Sequence, residues 1–255
     1  MTKTIEQLAL NTVHEGDCLE LMTYIPDKSV DMILCDLPYG TTACKWDTII
    51  PFEPLWAEYE RIIKDNGAIV LTASQPFTSA LVMSNPKLFK YAWYWNKVRG
   101  VGHLNAKKQP LKCVEDVLVF YKKQPTYNPQ MRERDKPRKS RNNNTQQVYG
   151  ATEANFEGET LDKRYPVNLL TYSKSSHADM LAHPTQKPIA LFEYLIRTYT
   201  NDGDVVLDNC LGSGTTAVAA INTGRQFIGI EREPEYVAIA NQRISDAKQL
   251  KEGAQ

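Results

Sequence analysis

Residues 205–216 read VVLDNCLGSGTT, and this stretch decides the fold. Its apolar first residues predict a short buried strand, two glycines follow, and the threonines after them predict the start of a helix. Glycines let the backbone turn sharply and approach a ligand closely, and the N-terminus of the next helix then points at that ligand. Glu231 ends the following predicted strand, where a carboxylate can bind both hydroxyls of a ribose. This layout predicts a site for a nucleoside cofactor.

Other cofactors use related loops, so the alternatives have to be weighed. Residues Gly212–Ala217 also fit the G-x-G-x-x-A pattern of nicotinamide dinucleotide sites. Two features disfavour a nicotinamide dinucleotide site. Asp208, at the strand end, is well placed to bind an amino group, and the loop lies late in the chain rather than at the start of a dinucleotide domain. A P-loop is excluded because no lysine follows Gly214. A tight turn with a purely structural role stays open.

Strands and helices alternate on both sides of this loop. That alternation predicts an α/β protein with one doubly wound, mostly parallel sheet and helices on both of its faces. In such sheets ligands bind at the carboxyl ends of the strands, near the point where strand order reverses. The predicted strands are 11–14, 30–35, 68–73, 89–95, 116–121, 205–207 and 227–230, and the predicted helices are 18–24, 54–63, 189–199, 215–221 and 235–247.

The middle of the chain differs in composition from both ends. We expect residues 1–123 and 181–255 to form two halves of one domain, with residues 124–180 inserted between them as a polar, basic segment. From Lys97 to Arg141 the sequence has 13 basic and four acidic side chains, although the formal charge of the whole chain is zero. Such a block attracts a polyanion. A solvated loop surface is the alternative interpretation.

A second candidate site, Asp36-Leu37-Pro38-Tyr39-Gly40, directly follows the predicted strand over residues 30–35. An exocyclic amine of a nucleobase is a poor nucleophile because its lone pair is delocalised into the ring. Two acceptors that bind both N–H groups favour the tetrahedral nitrogen, and Asp36 with the carbonyl of Leu37 can supply them. Tyr39 can stack on a base swung out of a helix, an interaction worth about 1–3 kcal/mol per base. An ordinary turn after a strand is the alternative.

Taken together, these motifs resemble those of the β class of amino-methylating DNA methyltransferases, in which the catalytic motif precedes the cofactor motif. Asp36-Leu37-Pro38-Tyr39 is similar to the family's D-P-P-Y element, and Asp208 to Thr216 is similar to its cofactor loop, with Glu231 as the ribose-binding acid. Gly16-Asp17-Cys18 resembles the segment that holds the cofactor's adenine. Residues 183–188, HPTQKP, resemble an H-P-T-x-K-P stretch that contacts the methionine end. The resemblance covers about residues 11–123 and 181–245.

The resemblance implies a Rossmann-like fold with circularly permuted motif order and an S-adenosyl-L-methionine-dependent enzyme that methylates DNA. Asp rather than Ser at position 36 favours N6 of a flipped-out adenine as the acceptor, with N4 of cytosine as the alternative. Leu37 stands where the family has its first proline. The carbonyl is kept while some rigidity is lost, so a catalytically inactive DNA-binding module is a further alternative, beside an NAD-dependent oxidoreductase.

Candidate site residues follow from the motifs and from the resemblance. The catalytic set is Asp36, Leu37, Pro38 and Tyr39. The expected cofactor-binding set is Asp17, Cys18, Asp36, Thr185, Lys187, Asp208, Cys210, Gly212, Gly214, Thr215, Thr216 and Glu231, in which Lys187 would neutralise the cofactor's carboxylate. DNA contacts are expected from Lys97, Arg99, Lys107, Lys108, Arg138, Lys139 and Arg141.

Several other classes are disfavoured. The five cysteines are scattered and form no C-x-x-C pair, so neither a disulfide framework nor a metal site is expected. None of the 14 prolines precedes a cysteine, which disfavours a 5-methylcytosine enzyme with its Pro-Cys nucleophile. No run approaches the roughly 18 apolar residues of a membrane span, and a cytoplasmic location is expected. The expected partners are double-stranded DNA, a second copy of the chain and a cognate restriction endonuclease.

Overall fold

The computed structural model describes residues 7–42, 44, 47–139, 160–173 and 186–253. The chain divides into two compact units. The larger unit comprises Met1–Asn128 with Asn168–Gln255, and the smaller comprises Pro129–Val167. Among the helices of the described residues, none combines the length and the apolar character needed to span a bilayer.

The strands of the described residues form one large and one small sheet. In chain order they are β1 (Thr12–Glu15), β2 (Val30–Cys35), β3 (Ile63–Ala73), β4 (Phe89–Val101), β5 (Lys112–Phe120), β6 (Arg132–Lys139), β7 (Thr160–Arg164), β8 (Leu169–Thr171), β9 (Val205–Asp208) and β10 (Gln226–Glu231). The large sheet has the order β1-β10-β9-β2-β3-β5-β4-β8. Strands β6 and β7 pair antiparallel in the smaller unit.

The large sheet is mostly parallel. Strands β1, β10, β9, β2 and β3 are parallel neighbours, β5 is antiparallel to both β3 and β4, and β8 is parallel to β4. β2 and β9 pair at the centre through Met32 with Val206 and Ile33 with Leu207. Because parallel strands end at the same edge, this pairing brings the loops after β2 and β9 side by side. The predicted sheet type is confirmed.

Helices cover both faces of this sheet. They are α1 (Cys18–Met22), α2 (Phe52–Ile62), α3 (Phe77–Ser84), α4 (Ile189–Tyr199), α5 (Thr215–Asn222) and α6 (Pro234–Gly253). Strand β2 shows the two faces directly, since Met32 and Leu34 pack into one buried cluster while Ile33 and Cys35 pack into another. Helices α4, α5 and α6 contribute to the first cluster, and α1, α2 and α3 to the second. Burial on both faces explains why β2 is a continuous apolar run.

Some elements differ from the sequence predictions. Helix α3, FTSALVMS, was not predicted, since its largely apolar residues lack a clear helical period. Strand β3 begins at Ile63 rather than residue 68, with a register irregularity opposite Val30 and Met32. A Cβ on Gly67 would lie 2.7 Å from the carbonyl oxygen of Asp31, so this glycine permits the close approach of β3 to β2.

The segment 124–180 also contains strands that were not predicted. Strands β6 and β7 lie within it, although its sequence shows little periodicity. Strand β8 belongs to the large sheet, where Leu170 is completely buried beside β4. The compact smaller unit, Pro129–Val167, is therefore shorter than the predicted insertion.

Candidate active site and cofactor cavity

The two candidate motifs meet at one edge of the large sheet. Asp36 follows β2 and Asp208 ends β9, and these strands are direct neighbours. On the other side of β9, strand β10 brings Glu231 next to Gly16, whose backbone N–H donates to the carbonyl of Glu231 at 3.0 Å. Three separate parts of the sequence thus converge at the carboxyl ends of adjacent parallel strands.

A cavity of about 430 Å³ opens at this edge. Its wall combines the two candidate motifs with residues of β4 and β5, including Trp95, Lys97 and Glu115. Of the predicted catalytic and cofactor residues, the wall includes Asp17, Cys18, Asp36, Leu37, Pro38, Tyr39, Lys187, Asp208, Cys210, Gly212, Thr215, Thr216 and Glu231. Gly214 shapes the loop behind the wall, and Thr185 lies outside the described residues.

Asp208 is the buried acid of the cofactor loop. One carboxylate oxygen accepts the backbone N–H of Cys210 at 3.0 Å, and the other accepts the hydroxyl of Thr216. Burial disfavours the charged carboxylate and raises the pKa of Asp208 to about 6, although both hydrogen bonds oppose the rise. A buried acid of this kind at a cavity wall is suited to bind a cationic group.

The turn after Asp208 depends on glycine. Gly214 has φ +87°, and a Cβ there would lie 3.1 Å from the Cα of Ala240 in α6. The guanidinium of Arg243, also in α6, donates to the hydroxyl of Ser213 at 2.8 Å and to its backbone carbonyl. Helix α6 therefore packs against the loop and holds its shape.

Glu231 and Asp17 border the other end of the cavity. The carboxylate of Glu231 accepts the backbone N–H of Gly212 at 2.7 Å and that of Glu233 at 2.8 Å. These bonds fix the carboxylate and leave each oxygen a further lone pair for a ligand hydroxyl. Asp17 caps α1 by accepting the backbone N–H of Leu19 at 2.9 Å.

The catalytic motif forms a connected polar network. One oxygen of Asp36 accepts the phenol of Tyr39 at 2.8 Å and also the hydroxyl of Thr72. The Tyr39 ring stacks on Phe77 with centroids 5.2 Å apart and an interplanar angle of 24°. Burial, followed by the nearby negative charge of Asp36, raises the pKa of Tyr39 well above its usual value, so the phenol stays protonated and can donate.

A carboxylate that sequence reasoning missed shapes the turn after Tyr39. Asp47 is buried and accepts the backbone N–H groups of Gly40, Thr41 and Thr42 at 2.8, 2.9 and 2.7 Å. Burial alone would raise the pKa of Asp47, but the hydrogen bonds from Thr42, Gly40 and Thr41 outweigh it and lower the pKa. No local motif marks Asp47, because its role depends on a loop that folds back on itself.

Lys187 lies against Asp36, the candidate catalytic acid. Its Nζ is 2.5 Å from the second carboxylate oxygen of Asp36 and 5.6 Å from the centre of the Tyr39 ring. Burial favours the neutral amine, yet the charges of Asp36 and Glu115 outweigh it and raise the pKa of Lys187, so this side chain is charged. Sequence reasoning expected Lys187 at the carboxylate of the cofactor, whereas the structure pairs it with Asp36.

The predicted DNA-contacting residues fall into three groups. Lys97 is only 4% exposed and pairs with Glu115 at 2.8 Å, so its expected role as a phosphate contact conflicts with its burial. Arg99, Lys107 and Lys108 are exposed in β4 and in the connection from β4 to β5. The backbone of Arg138 and Lys139 lies in β6, and Arg141 lies outside the described residues.

Fold and site together define a class of protein, an α/β protein of the methyltransferase type with a ligand-sized cavity at the carboxyl edge of its mostly parallel sheet. A family model for DNA methylases of the N6/N4 type matches residues 30–242. This match spans more than half of the chain, and the protein belongs to this family of amino-group DNA methyltransferases.

Individual relatives agree with that assignment. The chain is 27% identical to the type II methyltransferase M1.MboII of Moraxella bovis, over 92% of this chain and 96% of that protein. It is 30% identical to the DNA adenine methyltransferase YhdJ of Escherichia coli strain K12, over 92% of this chain and 83% of the relative.

Solved structures extend the comparison to the fold. The M1.HpyAVI–SAM complex matches with a TM-score of 0.63 and 26% identity, covering 91% of this chain and 98% of the other. The cytosine-N4-specific PvuII DNA methyltransferase shares the fold, with a TM-score of 0.65, 20% identity, and coverage of 95% and 93%. The cofactor of this protein is S-adenosyl-L-methionine. Two hydrogen-bond acceptors of the cavity, the buried carboxylate of Asp208 and the fixed carboxylate of Glu231, fit its amino group and its ribose hydroxyls.

Proposed function

We propose that this protein methylates N6 of an adenine extruded from double-stranded DNA. The observation that carries the proposal is the position of Asp36, whose carboxylate lies in the wall of the cofactor cavity beside Tyr39. The acid at the end of β2 can accept an N–H group of an exocyclic amine, and the aromatic ring next to it can stack on the base that has been flipped out of the duplex. YhdJ, named as an adenine methyltransferase, is also 30% identical to this chain.

The residues of the cavity support specific roles in this reaction. Asp36 and the carbonyl of Leu37 would accept the two N–H groups of the amine and hold its lone pair toward the methyl group. The bound cofactor supplies a methyl group on a positively charged sulfur. Transfer of that methyl group to the amine nitrogen would leave the electron pair of the broken carbon–sulfur bond on sulfur. Asp36 and Leu37 would hold the nitrogen while it gives up one proton to solvent.

The cofactor contacts proposed here follow the same geometry. Glu231 would accept the ribose hydroxyls, and residues Asp17 and Cys18 would border the adenine. Asp208 would bind the cationic amino group, because a buried carboxylate attracts a cation more strongly than an exposed one. Gly212, Gly214, Thr215 and Thr216 would shape the loop, with Cys210 beside it. Catalytic strand β2 precedes cofactor strand β9 in the chain, which supports a circularly permuted motif order.

The proposed DNA interface is the exposed connection between β4 and β5. Val101 and Lys112, at the base of this connection, line the cavity, while Lys107 and Lys108 are exposed farther along it. Phosphate contacts from such lysines would position the duplex, and readout of bases would come from other groups. Residues 124–180 are proposed to contribute target recognition. A homodimer and a companion restriction endonuclease remain predictions.

Cytosine-N4 methylation is the second candidate, because the same acceptor pair suits either amine and the family includes both acceptors. Mass spectrometry of nucleosides, from DNA of cells that express the protein, distinguishes the two. We expect N6-methyladenine above the background of a host lacking adenine methylases, and none with Asp36→Ala. N4-methylcytosine would keep the mechanism and overturn the choice of base. Full activity of the Asp36→Ala variant would contradict the catalytic assignment.

A further inference from the structure

Four charged side chains form a chain in the wall of the cavity, with the two lysines buried and the two acids, Glu115 and Asp36, partly buried. Lys97 Nζ lies 2.8 Å from one oxygen of Glu115, and Lys187 Nζ lies 3.8 Å from the other oxygen of Glu115 and 2.5 Å from Asp36. The exposed fractions of the Lys97, Glu115 and Lys187 side chains are 3%, 15% and 9%. Two positive and two negative charges balance, as buried charges require.

The hydrogen bonds within this chain are unevenly distributed. Asp36 accepts three donors, from Tyr39, Thr72 and Lys187. Glu115, by contrast, has one buried oxygen, Oε2, without a hydrogen-bond partner among the described residues. A buried carboxylate oxygen that accepts no hydrogen bond is unfavourable, and such an atom at the wall of a ligand cavity calls for an explanation.

The position of Lys187 conflicts with the proposed role of Asp36. Oδ1 of Asp36 already accepts Tyr39 and Thr72, so an N–H group of the target amine would have to share Oδ2 with the ammonium of Lys187. Lys187 needs an alternative partner when the amine arrives, because an unpaired buried ammonium is costly. Oε2 of Glu115 is that partner, 3.8 Å away, and the flexible lysine side chain can cover this distance by a change of rotamer.

We infer that Glu115 is a positioning residue that receives Lys187 when the target amine binds to Asp36. The inference rests on the proposed function, since it concerns the step in which the base enters the site. Before entry Lys187 pairs with Asp36, and after entry it pairs with Glu115 while the amine takes its place on Asp36. No proton is transferred in the exchange, and the buried charge stays balanced in both arrangements.

The test is Glu115→Gln in the full-length protein. Glutamine still offers Lys97 an amide oxygen, but it removes the charge that would attract Lys187. At saturating DNA and cofactor, we expect the single-turnover rate to fall by about tenfold or more, the size of one lost charge-assisted hydrogen bond. The dissociation constants of cofactor and DNA should each change by no more than about twofold, since neither contact is removed.

A neighbouring acid supplies the matched control. Asp116 follows Glu115 in β5 and accepts the hydroxyl of Thr78 at 2.6 Å, outside the cavity wall. Asp116→Asn should leave the rate within about twofold of the unchanged protein. The amplitude of the single turnover reports the folded, active fraction, so a folding defect in either variant lowers the amplitude rather than the rate.

A double variant distinguishes a role of Glu115 that acts through Lys187 from a general structural role of Glu115. In protein that carries Lys187→Gln, adding Glu115→Gln should lower the rate by no more than about twofold, because Glu115 acts through Lys187. The inference would be overturned by any of three results. The rate of Glu115→Gln alone could be unchanged, the double variant could lose the product of the two single losses in rate, or Glu115→Gln could weaken cofactor binding as much as it lowers the rate. If the unaltered protein methylates no duplex, the proposed function itself fails before any variant is compared.

Discussion

At the scale of single residues, burial of the carboxylate of Asp208, a proposed cofactor contact, lowers the stability of the fold. It is 3% exposed, and burial raises its pKa to about 6. In the unfolded chain an aspartate titrates near its ordinary value of about 3.9. Between roughly pH 4 and pH 6 the folded state therefore holds more protons, and by linkage the free energy of unfolding falls as pH rises through this window and levels off above it.

Replacing this acid should separate stability from cofactor binding. Asp208→Asn keeps an acceptor for the N–H of Cys210 and removes the buried charge, so the free energy of unfolding at pH 7 should rise by about 1–3 kcal/mol. In this variant the free energy of unfolding should decrease less between about pH 4 and pH 6 than in the unaltered protein. Calorimetric titration should show cofactor affinity at least about tenfold weaker, through loss of a charged contact. Asp246 is an exposed acid on α6, so Asp246→Asn should change neither the stability nor the cofactor affinity. An Asp208→Asn protein that is less stable than the unaltered protein at pH 7 would contradict the role given to Asp208.

At the scale of elements, the cofactor loop is held between strand β9 and helices α5 and α6. Gly214 lies where α5 begins, with φ +87° and with the backbone of Ala240 close by. A side chain there meets two obstacles, the left-handed backbone and the packed helix. Gly203, in the turn before β9, has a similar φ of +84° but no heavy atom within 4 Å of a built Cβ.

These two glycines form a matched pair for a test of loop packing. Gly203→Ala should lower the free energy of unfolding by about 1–2 kcal/mol through the backbone conformation alone, with cofactor affinity unchanged. Gly214→Ala should lower the free energy of unfolding by a further ~1 kcal/mol, and it should weaken cofactor binding because the loop shifts away from α6. Chemical denaturation and calorimetric titration measure both effects. Equal effects of the two variants would show that contact with Ala240 does not hold the loop.

At the scale of the whole molecule, a chain of zero formal charge has 13 of its 30 basic residues between Lys97 and Arg141, against four acidic residues. The exposed basic side chains Arg99, Lys107 and Lys108 lie in β4 and in the connection from β4 to β5, whose two ends, Val101 and Lys112, line the cavity. By contrast, Lys122 and Lys123, at the opposite end of β5, pair with the acids Glu60 and Asp65. A chain of neutral overall charge can therefore still present a local group of exposed basic side chains, Arg99, Lys107 and Lys108, that attracts a polyanion.

This arrangement predicts different effects for two pairs of adjacent lysines. Lys107→Ala with Lys108→Ala should weaken DNA binding similarly on all sequences, and should reduce the slope of log affinity against log salt by about 2. Lys122→Ala with Lys123→Ala should leave that slope unchanged. Fluorescence anisotropy with labelled duplexes at several salt concentrations gives both slopes, and equal slopes for the two variants would place the DNA elsewhere.

Much of the fold was predictable from local sequence. The apolar runs of β2 and β9 predict buried parallel strands, and the glycines after β9 predict the cofactor loop, because burial on both faces and backbone turns leave local signatures. The two acids after these strands, Asp36 and Asp208, were candidates for the same reason. Helix α3 and the long start of β3 left no such signature, since an apolar segment of eight residues fits either a strand or a helix.

The sequence by itself determined the strand–helix alternation and the two motifs, since each depends on residues close together in the chain. The pairing of β2 with β9, which brings the motifs together, was decided by the tertiary structure. Only the tertiary structure decided which charges touch. Lys187 is 151 positions from Asp36, and Lys97 turns inward to Glu115 although its neighbour Arg99 faces solvent. The pairing of buried charges follows strand order and side-chain direction across the whole sheet, and that information is absent from any single segment of the chain.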